Sequence, residues 1–443
     1  MVYDLNHGMS KLFKIVLIIS IVSGLLNAST IMDFDLIKKG KENNNTLLVI
    51  GGIQGDEPGG FMSASLLSTH YEITKGSVWV VPNLNFLSII ERSRGPYGDM
   101  NRKFAALSKD DPEYDNVQKI KALISDDKVK LIVNLHDGSG YYRHKFEDKL
   151  HSPLKWGQCS IIDQTKLNLP RYGNLKEISD KVVAHVNQHL LKDEDIYHVH
   201  NTRTVEGDKE MEKSLTYFAI NNGKAAFGNE ASKSLPTYGR VYYHLLALEK
   251  YMEVMGIEFK RKFKLSANGV YHAINNDIYV SFYDNKIKLP LSKMRDILKY
   301  FPIKKGSEID FESSNPLVAV IKKGNTYNIQ YGNRHLSKLS VDYIEYDNSK
   351  KKVKLLVDGK LKDYSFGSII DVYNHFLVKK DDDFRVNVIG YKNISRVETD
   401  VKIKKSQILK RYSIDKAGQI YRVEYYNKKK FAGMILVKFK NKS

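Results

Sequence analysis

Between residues 45 and 256, short apolar runs alternate with stretches whose apolar residues recur every three or four positions. Thr46-Leu-Leu-Val-Ile50, Ser77-Val-Trp-Val-Val81, Leu131-Ile-Val-Asn-Leu135 and Ala225-Ala-Phe-Gly-Asn-Glu230 are short, continuous runs, which predicts buried strands. Gly59 to Leu67, Asp115 to Ser125, Lys176 to Leu191 and Tyr242 to Met255 carry helical spacing. Asp115 stands where it would cap its helix, and Gly256 where it would end the last one. Such alternation predicts a largely parallel sheet covered on both faces.

After Gly256 the texture changes. Asp277–Tyr283, Thr326–Tyr331, Lys352–Val357, Phe384–Gly390, Ile420–Tyr426 and Phe431–Phe439 are short alternating runs. Gly332-Asn333, Asp358-Gly359 and Asn427-Lys428 supply turns between them. This predicts two small β domains with their joint near residue 348, and one helix near Leu291–Tyr300. At the other end, Met9-Ser-Lys-Leu-Phe-Lys14 precedes an apolar run of 12 residues, Ile15–Leu26, and a small residue at Ala28. A charged start, a short apolar run and a small residue at a cut form the layout of an export signal, and the run is short for a membrane span. The expected organisation is a signal peptide at 1–28, starting at Met9, then domains at 29–256, 257–348 and 349–443. The mature chain is expected in the periplasm, not membrane-spanning.

Charge sharpens this division. The chain of 443 residues carries a net charge of +19, and residues 257–443 hold 39 Lys plus Arg against 20 Asp plus Glu. The excess therefore sits wholly in the second part. A neutral body with a basic appendage suits an enzyme with a domain for an anionic wall component or protein better than a nucleic-acid coater. The lone Cys159 excludes an internal disulfide and a Cys-rich metal site, and reads as packing.

In open α/β sheets ligands bind beyond the carboxyl ends of strands. Thr46–Ile50 runs into Gly51-Gly-Ile-Gln54-Gly-Asp-Glu57, Leu131–Leu135 into His136, and the Ala225 run into Glu230. A catalytic zinc needs about three N or O ligands and one open position. The close pair Gln54 and Glu57, with His136 79 residues after Glu57, meets that count. His198-Val-His200 is a rival imidazole pair without a carboxylate partner at short spacing.

Gln54-x-x-Glu57, Asn101-Arg102, Leu135-His136-Asp137-Gly138 and Asn229-Glu230 resemble the metallocarboxypeptidases of the M14 type, over about residues 33–256. Gln54 stands where that family has its first His. Combined with an export signal and a basic β tail, this resembles the periplasmic cell-shape peptidoglycan carboxypeptidases of helical Gram-negative bacteria, which use a Gln ligand. The resemblance implies an α/β carboxypeptidase-like domain, a mixed sheet with helices on both faces, followed by two small all-β domains, the last Ig-like. It implies removal of meso-diaminopimelate from a muramyl tripeptide, with one Zn2+ held by Gln54, Glu57 and His136 and with Glu230 as general base. Asn101 and Arg102 would then bind the terminal carboxylate. Arg94, or Arg92, would polarise the scissile carbonyl. Trp156 would pack on the substrate, and Tyr217 is the candidate for the family's mobile Tyr. Two other readings stand beside this one: a non-catalytic wall-binding scaffold that has lost its metal, and a deacylase of the aspartoacylase type. Export and the neutral first half argue against nucleic acid.

Overall fold

The computed structural model describes residues 33–393 and 397–441; the expected export signal lies outside them. The first unit is built on a seven-stranded sheet: β1 (Ile37–Gly40), β2 (Thr46–Ile50), β3 (Ser77–Val81), β4 (Val129–Gly138), β5 (Cys159–Ile162), β6 (His198–Asn201) and β7 (Ala225–Ser232). Their spatial order is β1-β3-β2-β4-β7-β5-β6. The central strands β3, β2, β4 and β7 run parallel, while β1 and β5 pair antiparallel to their inner neighbours. β2 and β3 are buried at every position, odd and even alike, so both faces are covered. The cover is α1 (Pro58–His70), α2 (Phe86–Glu91), α3 (Tyr114–Ser125), α4 (Leu175–Asn187), α5 (Leu215–Asn221) and α6 (Thr237–Val254).

The cap of α3 lies two residues earlier than expected: Glu113 takes the position and Asp115 falls inside the first turn. Gly256 follows α6 with φ of 69°, the left-handed conformation that ends a helix at little cost for Gly. The expected boundary after Gly256 is not where the first unit stops. Glu258–Arg261 pairs antiparallel with Tyr71–Lys75, and α7 (Ala267–Asn275) packs on α6.

The second unit holds two small sheets, one of three strands between Tyr279 and Ser313 and one of four between Ile297 and Ile344. The helix expected near Leu291–Tyr300 is a strand, Ile297–Lys304. Phe301, Pro302 and Ile303 are buried together in it, and Pro302, just past the expected helix, is incompatible with a helix interior. In the third unit, sheets of three and four strands share a separate apolar core that includes Leu355, Val372, Val423 and Ile435. This is a β-sandwich, with one parallel pair, Ile369–Val372 beside Lys430–Phe439. Among the described residues no helix is long and apolar enough to cross a membrane.

The second unit shares a buried apolar cluster with the first and braces α1 directly. Ser65 Oγ donates to Asn315 Oδ1 at 3.0 Å, and the hairpin at Gly332-Asn333 rests on Phe61 and Met62. Gly332 has φ of 54°, and a Cβ there would lie 2.8 Å from the Phe61 ring and 2.9 Å from the Met62 methyl. Gly332→Ala therefore meets both backbone strain and a clash, and is expected to cost about 1–3 kcal/mol, read as a lowered thermal midpoint.

Candidate active site

The site forms where β2, β4 and β7 end. The chain leaving β2 turns through Gly51-Gly52 and enters α1 at Pro58, which puts Gln54 in the turn and Glu57 at the helix cap. This turn lies very close to its neighbours. A Cβ on Gly51 would sit 2.8 Å from the Gly60 carbonyl oxygen, one on Gly60 2.6 Å from the Leu135 carbonyl oxygen, and one on Gly55 2.0 Å from the Ser88 carbonyl oxygen. Only bare backbone lets α1 press this tightly on β4. Next to it, His136 on β4 and Glu230 on β7 are partners in register across parallel strands.

The sequence-predicted set converges. His136 Nδ1 lies 2.9 Å from Glu57 Oε2 and 3.2 Å from Gln54 Oε1. All three side chains are buried, at 6%, 4% and 2% exposure. One imidazole nitrogen, one carboxylate oxygen and one amide oxygen thus face a common point, which is the N/O donor chemistry of a hydrolytic divalent-metal site. No cluster of three His, Cys, Asp or Glu disposed to hold a metal occurs among the described residues, because the third donor here is an amide. Two orphaned buried atoms fit the same reading: Glu230 Oε2 and Asn134 Oδ1 have no hydrogen-bond partner. The Asn134 amide nitrogen lies 2.8 Å from His136 Nε2. Turning this amide over would let Oδ1 accept from Nε2–H and leave the Nδ1 lone pair facing Gln54 and Glu57.

A second tier holds these donors. Gln54 Nε2 donates to Asp99 Oδ1 at 2.7 Å, which aims Oε1 at His136. Asp99 Oδ2 accepts from Arg94 Nε at 3.0 Å, and Arg94 Nη1 approaches Glu57 Oε1 at 3.6 Å. Burial raises the Asp99 pKa, but Gln54, Arg94 and Arg102 outweigh it and hold the carboxyl below its ordinary value. The Asp137 N–H donates to Glu57 Oε2. The Asp137 carboxylate is fully buried between Gly59 N–H, Arg240 and His244; it braces the loop, as its position beside His136 suggested. Lys233 Nζ lies 2.7 Å from Asp56 Oδ2 and 3.5 Å from Glu57 Oε1. Burial, opposed by His136 and reinforced by Glu57 and Asp137, pushes the Glu230 pKa up to about 8.

These groups open into a cleft of about 350 Å³ that Arg94, Asn101, Arg102 and Trp156 also line. Asn101 Oδ1 accepts from the Leu215 N–H at 3.0 Å, so its remaining hydrogen-bonding groups are N–H donors, suited to an anion. Arg92 is not in the cleft. It caps α2 in the left-handed conformation and is exposed, so the turn that aims Arg94 inward aims Arg92 away. Tyr217 is half-buried against the core and does not line the cleft; its neighbour Thr216 does. His198 and His200 do not line the cleft; His200 stacks on Tyr142 at 4.1 Å and packs behind Trp156 at 4.8 Å. Cys159 is buried and packs beneath Trp156, its thiol pKa pushed up by burial.

Sequence reasoning missed Asp99, Asn134 and Lys233. Asn134 had a usable signal, since it is two residues before His136 on one strand and shares its face. Asp99 and Lys233 had none, because their roles depend on how loops fold.

A family model described as the catalytic part of a carboxypeptidase controlling helical cell shape matches residues 9–275. Two companion models match residues 277–345, a β-barrel domain of this carboxypeptidase class, and 346–440, a C-terminal domain of metallo-carboxypeptidase. Among solved structures, tripeptide-bound cell shape determinant Csd4 from Helicobacter pylori is 40% identical with a TM-score of 0.82, over 92% of this chain and 100% of that one. The mDAP-bound form of the same protein, described as a D,L-carboxypeptidase, is 41% identical with a TM-score of 0.82, over 91% and 100%. Its Gln-to-His variant is 40% identical with a TM-score of 0.81, over 92% and 100%. No curated protein sequence matches the chain.

The raised Glu230 pKa sets a stability signature. The native state binds this proton more tightly than the unfolded chain, so Glu230 lowers stability as pH rises from about 4.5 to about 8. Glu230→Gln removes the titrating group. In chelator-treated protein, the variant's thermal midpoint relative to the unmodified chain is expected to be higher at pH 8 than at pH 5. A difference independent of pH would contradict the placement of Glu230.

Proposed function

The chain belongs to the family of carboxypeptidases controlling helical cell shape, and from that premise we propose that it is a zinc-dependent peptidoglycan carboxypeptidase. Its substrate is a muramyl tripeptide, from which it releases the C-terminal meso-diaminopimelate by cutting the D-Glu–diaminopimelate amide. The observation that carries this reading is the register of His136 beside Glu230, with Gln54 and Glu57 brought against the same imidazole. The tripeptide and mDAP complexes of the Helicobacter protein support the choice of substrate. A decayed, non-catalytic scaffold would have no reason to keep a buried acid with a free oxygen at this point, since such a group costs stability.

Gln54 Oε1, Glu57 and His136 Nδ1 are the groups that would hold a single zinc ion. Bound there, zinc supplies a Lewis acid and makes water a better nucleophile at neutral pH. The chain's own residues do the rest. In its ionised form Glu230 accepts a proton from the attacking water, whose oxygen forms the new bond to the carbonyl carbon. As the C–N bond breaks, Glu230 returns that proton to the leaving amine. Arg94, fixed by Asp99, directs its guanidinium at the carbonyl oxygen, where negative charge develops. Asn101 and Arg102 hold the terminal carboxylate, Arg102 through its planar fork. Trp156 closes one wall.

The basic start and apolar run at residues 9–26 support export to the periplasm. The excess positive charge beyond residue 257 supports contact of the β units with anionic wall or protein groups.

Purified full-length protein is expected to release diaminopimelate from muramyl tripeptide, followed by chromatography. Glu230→Gln should lower kcat by about 10²–10⁴-fold while leaving bound zinc unchanged by elemental analysis. Gln54→Ala should lose zinc on dialysis, and Gln54→His should retain it more tightly, since imidazole is the stronger donor. Release of no amino acid by zinc-loaded protein would overturn the assignment.

A further inference from the structure

The seven-stranded sheet ends at β6, whose outer side pairs with no strand among the described residues. His198 N–H donates to the Gln158 carbonyl at 3.1 Å and Thr202 N–H to the Ile162 carbonyl at 3.0 Å, so the even-numbered residues turn their backbone groups to the β5 side. The odd-numbered residues turn theirs outward. At Tyr197 an amide meets them: Asn187 Nδ2 donates to the Tyr197 carbonyl at 3.0 Å, and Asn187 Oδ1 accepts from the Tyr197 N–H at 2.8 Å. One side chain thus does what the peptide group of a further strand would do. Val199 and Asn201 face the same way, and no group among the described residues meets their backbone N–H or C=O.

This edge lies in a cavity of about 690 Å³. One side of the cavity is a stripe of α4, Lys176, Asp180, Val183 and Asn187, spaced as a single helix face. Val199 shares the sheet face of Ser160, whose hydroxyl meets Ser179 of α4 at 2.6 Å. On the other face His200 stacks on Tyr142, which lines the cavity with His144. The cavity therefore embraces the free edge from both faces, and from Val199 to Arg203 it follows the chain for about 13 Å, room for about four extended residues. Charge gives this groove a polarity. Lys176 N–H donates to the Thr165 carbonyl just beyond β5, so the start of α4 lies at the carboxyl end of β5 and β6, where Arg203 follows β6. Two cations and the N-terminal end of a 13-residue helix meet there, against one lining acid, Asp180, which Lys176 already pairs at 2.6 Å. The end at Ile196 and Asn187 has no Lys, Arg, Asp or Glu in its lining. Both tyrosines of the lining, Tyr142 and Tyr197, are buried, so neither offers an open face to a sugar ring.

We propose that this groove receives an extended segment of a partner protein with an acidic end, which joins the sheet beside β6 through the backbone of Val199 and Asn201 and sets its carboxylates at Lys176 and Arg203. Backbone pairing supplies the affinity, and the two cations fix which end of the segment lies where. The groove is separate from the hydrolytic site. Cys159, at the start of β5, is level with Glu230, so the cationic end of the groove points away from the catalytic cleft. A docked partner leaves that cleft open.

The test is fluorescence anisotropy of the full-length protein with a fluorescein-labelled peptide, acetyl-Thr-Val-Thr-Val-Glu-Glu. It should bind saturably below about 1 mM, and its counterpart ending in Lys-Lys at least about tenfold more weakly. Arg203→Glu should remove that preference. Val199→Pro deletes the outward N–H without costing a bond to β5, and should weaken the acidic peptide by at least about tenfold; Val199→Thr, which keeps the N–H, should stay within about threefold. A second measurement leaves the protein untouched and decides the matter if Val199→Pro does not fold. Of two peptides N-methylated on alternate residues, one set or the other, one should lose at least about tenfold in affinity and the other keep it, because a strand turns only every second N–H to its neighbour. No saturable binding up to about 1 mM, or equal effects of the two methylation patterns, overturns the proposal. So does binding that Arg203→Glu abolishes but that neither Val199→Pro nor methylation weakens, which marks charge attraction without strand pairing.

Discussion

The site depends on how closely one helix can lie on one strand. Gly51, Gly55 and Gly60 have no room for a Cβ, because carbonyl oxygens of α1, of α2 and of β4 occupy the space. That approach carries Glu57 at the helix cap to within hydrogen-bonding distance of His136, and Gln54 with it. Were α1 lifted by the width of a methyl group, the donors would part. The second unit matters for the same reason: its hairpin at Gly332 packs on Phe61 and Met62 of α1. A β domain that takes no part in the chemistry thereby helps to set the distance on which the chemistry rests.

Putting so many polar groups in a closed space is costly unless each finds a partner. Asp137 shows how that cost is met, with Gly59 N–H, Arg240 and His244 around one carboxylate. Asp99 does likewise for Gln54 and Arg94. Against this background the unpartnered atoms of Glu230 and Asn134 are informative. They face or border the cleft, and each can be completed by something the protein binds or by a change of amide orientation that binding would favour.

Much of this is legible in the sequence, and the reason differs from part to part. The strands of the first unit are continuous apolar runs, a signal that buried parallel strands leave whatever their function. Because ligands gather beyond strand ends, Gln54, Glu57, His136 and Glu230 stand out from their positions along the chain alone. Arg92 and Arg94 cannot be told apart in that way, since one left-handed residue at the end of α2 decides which of them faces the cleft. The change of texture at Gly256 falls short of the true boundary because Glu258–Arg261 pairs with a strand far earlier in the chain, and pairing partners leave no mark in local composition. The spacing of apolar residues before Tyr300 imitates a helix, although Pro302 within Ile297–Lys304 argues for the strand that forms.

The amide at position 54 is explained by what lies behind it. An amide ligand has a free N–H2 end that can turn, and an unfixed Gln would present nitrogen as readily as oxygen. Asp99 removes that freedom: a carboxylate accepts only from the nitrogen, so the oxygen must face His136. The same carboxylate would accept from the far N–H of an imidazole at this position, since a metal-binding His also needs its second nitrogen held. The surroundings of residue 54 would thus orient either donor type, amide or imidazole. What the amide would change is donor strength, because Gln is neutral and would bind a metal through a weaker oxygen. The carboxylate of Glu57, pulled toward Arg94 and Lys233, must then provide most of the negative charge in the set.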